Sequence, residues 1–160
     1  MEKNIVQLLA GQHEEVWTGE PWYGSNLQKG LSGITPEQAT YRISGQHNIA
    51  EILNHMVQWK KFVLEKLKGN AEFDIELNGK DDWATIDHLD LPSWNAIVET
   101  FNDVSSSLID EIRLKQDNLL LETVPGRKYS YSILIEGIRD HDIYHLGQVV
   151  ILKKIAKHEI

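Results

Sequence analysis

Of the seven histidines in this 160-residue chain, three stand where helices could turn them toward one point. His141 and His145 are four residues apart, which in an α-helix places them about 40° apart around the axis and about 6 Å apart along it. Two imidazoles so placed can share one ion. Plotted at about 100° per residue, their sector holds Leu134, Gly137, Ile138, Tyr144, Gln148, Val149, Leu152 and Ala156 and no charged side chain, so the pair faces an interior. His55 lies in a separate apolar stretch between Ile52 and Trp59 and is the natural third ligand. His47 is eight residues from His55, about 12 Å of helix rise, too far for both to bind one ion directly. Three imidazoles buried without an ion would leave several donors and acceptors unsatisfied at about 1–3 kcal/mol each, so a metal is the economical account of the three together. Three neutral imidazoles also leave positions for water or substrate, the open arrangement of catalytic sites. His13, His88 and His158 have polar neighbours and read as surface or loop residues.

Other residues near the triad admit roles of their own. Gln148 and Tyr144 could orient substrate or ligands. Glu51, one turn before His55, could accept that ring's other N–H. Trp22 and Trp59 could wall a pocket. Packing or capping accounts for each of these equally well, and no general base beside the triad stands out. The stretch His141-Asp142-Ile143-Tyr144-His145 also has the spacing of a metalloprotease His-Glu-x-x-His helix. Asp142 replaces the Glu, however, and Gln148 stands where the extended pattern needs Gly.

Four long amphipathic helices are expected to position these residues. The first runs from Asn4 to Trp17, followed by a loop from Gly19 to Gly33. Thr35-Pro36-Glu37-Gln38 starts a short extra helix reaching to about Ile43, with Thr35 as N-cap and Gln38 placed to reach back. The second long helix begins after Asn48, with Glu51 completing a capping box, and runs to about Lys68 before Gly69-Asn70. Ala71 to Leu91 form a long crossover with room for a short strand or a turn. The third helix runs from about Ser93 to Lys115, and the fourth from about Ser130 to Lys157 after the Pro125-Gly126 turn. The expected fold is an all-α four-helix bundle with a long crossover, a usual frame for side-chain metal sites.

Composition bounds the rest. The length predicts a single domain over residues 1–160. A net charge of −8 repels a phosphate backbone and an anionic lipid surface, so neither nucleic acid nor a membrane is an expected partner. No apolar run approaches the roughly 20 residues that span a bilayer, and Gln7 interrupts the apolar start that a signal peptide needs. Zero cysteines exclude disulfides and thiolate ligands and fit a reducing compartment, so the expected location is cytoplasmic.

Four segments together resemble the DinB-like superfamily, which includes the YfiT-like proteins grouped as metal-dependent hydrolases. They are Pro21-Trp22-Tyr23-Gly24-Ser25, Gly33 to Ala39, His47 to Trp59, and His141-Asp142-Ile143-Tyr144-His145-Leu146-Gly147-Gln148-Val149. The last is the most specific and is similar to the family's His-Asp-x-Tyr-His-x-Gly-Gln signature. The resemblance implies a four-helix bundle holding zinc or nickel through His55, His141 and His145. It also implies a small-molecule substrate: relatives include S-transferases that use a low-molecular-weight thiol, so the chain is expected to be a hydrolase or a thiol S-transferase. The alternative is a metal-binding, stress-related bundle without turnover. Ile143, Leu146 and Val150 make the fourth helix apolar on the side away from the histidines, and a homodimer is one way to cover that side, a wholly buried helix the other.

Overall fold

The computed structural model describes residues 4–160. Among the described residues, six helices carry the fold: α1 (Ile5–Trp17), α2 (Leu27–Leu31), α3 (Pro36–Thr40), α4 (Ile49–Leu67), α5 (Leu91–Arg113) and α6 (Tyr131–Glu159). A 3-10 turn spans Asp117–Leu121 between α5 and α6. The long helices form a ring in which α4 packs on α5 and α6, and α1 packs on the same two from the other side. Phe62, Phe101, Leu53, Met56, Leu108, Ile112 and Ile135 fill its centre, all buried. The fold is all-α as expected, with no strand among the described residues and one isolated bridge between Thr123 and Ser130. No helix among them is long and apolar enough to cross a membrane.

Helix starts follow the capping chemistry. Asn4, Thr35, Asn48 and Ser130 cap α1, α3, α4 and α6, and both capping boxes form, Thr35 with Gln38 and Asn48 with Glu51. Helix α5 begins two residues earlier than expected, because Asp90 caps it and Pro92 fits within the first turn, where a missing N–H costs nothing. The crossover contains turns but no strand.

Two expectations need correction. The Gly19–Gly33 segment is not a plain loop, since Asn26 caps the one-turn helix α2 by accepting from the Lys29 N–H. That helix lies against α6 at Gly30, where an added Cβ would stand 2.5 Å from Leu146 Cδ1. Leu146 is thereby buried within the chain, while Ile143 and Val150 on the same side of α6 are half-buried. His13 is not a surface residue. It points inward from α1, 3% exposed, with Nε2 2.9 Å from the Ile135 carbonyl oxygen.

Candidate metal centre

Helices α4 and α6 bring His55, His141 and His145 together across the bundle. The Nε2 atoms of His55 and His145 lie 3.0 and 3.1 Å from Nε2 of His141, and one nitrogen of each ring lies within 4.8 Å of the others. Imidazole nitrogens that share one zinc ion stand roughly 3.3 Å apart at the usual bond lengths. His55 and His145 are buried and His141 is half-buried.

The rings' outer nitrogens decide what the inner ones present. Nδ1 of His55 stands 2.8 Å from Asp82 Oδ1 and 3.2 Å from the Asp82 carbonyl oxygen, so it carries the hydrogen and Nε2 carries the lone pair. Nδ1 of His145 faces Gln148 Oε1 at 2.6 Å, with the same result. Two lone pairs are therefore aimed at His141 Nε2. A hydrogen there could serve only one of them, and with the hydrogen on Nδ1 instead, a buried atom with no partner among the described residues, three lone pairs face one another. A single cation satisfies all three, so this donor set fits a nitrogen-ligated divalent metal.

Protonation favours the same reading. Burial above all, then the neighbouring histidines, push His141 down to about 3. Burial likewise lowers His145 to about 4, against the opposing Gln148 hydrogen bond. Burial lowers His55 too, although Asp82 partly offsets it. All three are neutral at pH 7, the form that binds metal.

Asp82 comes from the crossover, and the loop is built to hold it. Its Oδ1 also accepts from Trp59 Nε1 at 2.8 Å, and its Oδ2 accepts from the Asn78 backbone N–H at 2.8 Å. Burial raises its carboxyl, but these hydrogen bonds and His55 outweigh that and keep it below the ordinary carboxylate value. The next residue, Trp83, stacks on His55 with ring centroids 3.8 Å apart and planes 10° from parallel. Its other face carries His47, again at 3.8 Å. Neither Asp82 nor Trp83 is singled out by sequence pattern, because an aperiodic crossover gives no facing rule. Their only signal is a buried-type aromatic beside an acid in a polar stretch.

The triad opens onto a cavity of about 560 Å³ whose wall includes Ile43, Ile52, Trp83, Ile151 and Leu152, with His47, Tyr144 and Gln148 supplying polar groups. Tyr144 and Gln148 thus lie at the cavity, Gln148 as the orienting partner of His145 and Tyr144 at its exposed edge. Glu51 is not the partner of His55. Its carboxylate is engaged by Arg42, His47 and the Ile86 and Asn48 backbone N–H groups, and Asp82 fills the place beside His55. Trp59 orients Asp82 and lines a smaller cavity of about 190 Å³ behind His141. Trp22 lies away from the triad, 96% exposed at the edge of another groove with Arg139.

The model of the DinB superfamily matches residues 24–149, well over half of the chain, and takes in the three histidines, Asp82 and the cavity wall apart from Ile151 and Leu152. The chain belongs to that superfamily. Comparisons with curated proteins and with solved structures return no match.

Proposed function

On the premise of that membership, we propose that the protein is a divalent-metal-dependent enzyme, a hydrolase or a low-molecular-weight-thiol S-transferase. His55, His141 and His145 would hold zinc or nickel. The observation that carries this reading is the convergence of two lone pairs, fixed by Asp82 and Gln148, on a third imidazole at the floor of an open cavity. When bound, the metal lowers the pKa of water or a thiol so that the nucleophile is available near neutral pH. Asp82 and Gln148 hold their rings in the ligating tautomer, and the neutral state of all three rings keeps protons from competing. Ile43, Ile52, Ile151 and Leu152 exclude water around an apolar substrate body, while Tyr144 offers a hydroxyl at the rim.

Metal analysis of the chain purified without a histidine tag tests the site. One zinc or nickel per chain, lost in His145→Ala, is the expected result. Consumption of an electrophile that requires both metal and an added thiol then supports the transferase, and ester cleavage that requires metal alone supports the hydrolase. A chain without stoichiometric metal refutes both.

A further inference from the structure

We propose that His47 is the proton acceptor of this site, oriented by Glu51; this rests on the metal-site reading above. The triad's own nitrogens are not available for that task, since the Nε2 atoms face one another, the Nδ1 atoms of His55 and His145 are taken, and the buried Nδ1 of His141 carries that ring's hydrogen whenever its Nε2 presents a lone pair. His47 is the one imidazole at the cavity wall outside the triad. Its Nδ1 lies 3.1 Å from Glu51 Oε2. Glu51 is 2% exposed and gripped by Arg42, whose Nη1 and Nη2 donate to its two oxygens at 2.9 and 2.6 Å. Burial alone would raise that carboxyl, but the Arg42 pair and the hydrogen bonds from Ile86, His47 and Asn48 bring it down to about 2. An ionised carboxylate only accepts, so the His47 hydrogen is on Nδ1 and the lone pair on Nε2. Nε2 has no hydrogen-bond partner among the described residues, and the side chain is 49% exposed.

The arrangement is the carboxylate–imidazole pair that general-base sites use to fix tautomer and direction and to stabilise the imidazolium once formed. Trp83 sets the plane. Sandwiched between His47 and His55, with both faces within 10° of parallel, it keeps His47 two stacking steps of 3.8 Å from the triad. In the reaction a thiol or water gives its proton to Nε2 while its sulfur or oxygen bonds to the electrophilic carbon. The bond from that carbon to the leaving group breaks, the electron pair departs with the leaving group, and the half-exposed imidazolium returns the proton to solvent.

Two measurements on the full chain test this. In a 15N-labelled sample at pH 8, His47 is expected to carry its hydrogen on Nδ1 with Nε2 bare, and a hydrogen on Nε2 overturns the proposal. In the zinc-loaded chain, 2-mercaptoethanol with 1-chloro-2,4-dinitrobenzene probes thiol transfer and 4-nitrophenyl acetate probes hydrolysis. His47→Gln is expected to keep its zinc and lose about a hundredfold or more of the zinc-dependent rate, and added imidazole should restore part of the rate in His47→Gly. Full zinc with a rate within about threefold of wild type, or full zinc with no zinc-dependent rate for either probe, overturns the role of His47 and leaves the metal site standing. Failure to bind zinc overturns both.

Discussion

The substitution Asp82→Asn keeps the shape of the side chain and removes one acceptor. Asp82 receives His55 Nδ1–H and Trp59 Nε1–H on one oxygen and the Asn78 N–H on the other, each at 2.8 Å. If the oxygen of the new carboxamide stays toward His55, its NH2 meets the Asn78 N–H, donor against donor, and the loop must shift. The His55 hydrogen then still finds the backbone oxygen of the same residue at 3.2 Å, so the loss is small. If the carboxamide oxygen turns toward Asn78, the NH2 faces His55 Nδ1 and forces the hydrogen onto Nε2, the nitrogen that must bind metal. Removing such partners of ligating histidines costs about 10–100-fold in metal affinity, or about 1.4–2.7 kcal/mol. The first arrangement predicts the lower end and the second the upper. Competition for zinc against a chromophoric chelator at pH 7.5 measures the difference. An affinity within about twofold of wild type would refute the argument that Asp82 sets the His55 tautomer.

Acid should destabilise the metal-free chain early. Burial first of all holds His13 and His141 at about 3 and His145 at about 4, against 6.5 when unfolded. Below pH 6.5 the unfolded chain takes up protons that the folded one refuses. Stability is therefore complete above 6.5 and falls toward pH 4, by up to about 1.4 kcal/mol per pH unit for each group. Equal urea midpoints at pH 7.5 and 5 would contradict this. Lys60→Met should cost about 3–5 kcal/mol, because it strands the buried Asp142 carboxylate, whose Oδ1 already lacks a partner among the described residues. That corresponds to a fall of roughly 6–20 °C in Tm, which the double variant Lys60→Met/Asp142→Leu should largely restore; a Tm unchanged in the single variant removes the argument. Zinc at a hundred times its Kd stabilises by about 2.7 kcal/mol, so a chelator should lower the Tm of the loaded chain by roughly 5–11 °C and leave His145→Ala unaffected.

What the sequence reveals and what it hides divide along periodicity. The three clustered histidines are legible because each stands on a long helix, where a 3.6-residue rhythm states which way a side chain faces. The same rhythm, applied to α1, places His13 with Val6, Leu9, Ala10 and Val16 on the buried face. Judging it by Gln12, Glu14 and Glu15, its neighbours along the chain, leads to the wrong side of the helix. Helix α2 hides for a different reason: five residues containing a glycine have no rhythm to read, and its glycine is there because α6 comes too close for a Cβ. Asp82 and Trp83 lie on a crossover where nothing in the local pattern fixes direction. Their placement depends on the Asn78 N–H and on the Ile86 backbone, which is tied to Asn48 and Glu51 at the start of α4.

Glu51 shows why the distinction bears on chemistry. Its spacing fits two roles, capping α4 and meeting His55, and the sequence offers no means to choose. The crossover decides, because it places Asp82 beside His55 and leaves Glu51 to Arg42 and His47. One aperiodic segment thus supplies the carboxylate that fixes the tautomer of His55 and, by leaving the other carboxylate to His47, orients a second imidazole at the mouth of the same cavity. Helix periodicity can identify groups able to hold an ion. Which of their nitrogens carry hydrogen, and which basic group is left to take a proton, is set by a loop whose directions only the folded chain displays.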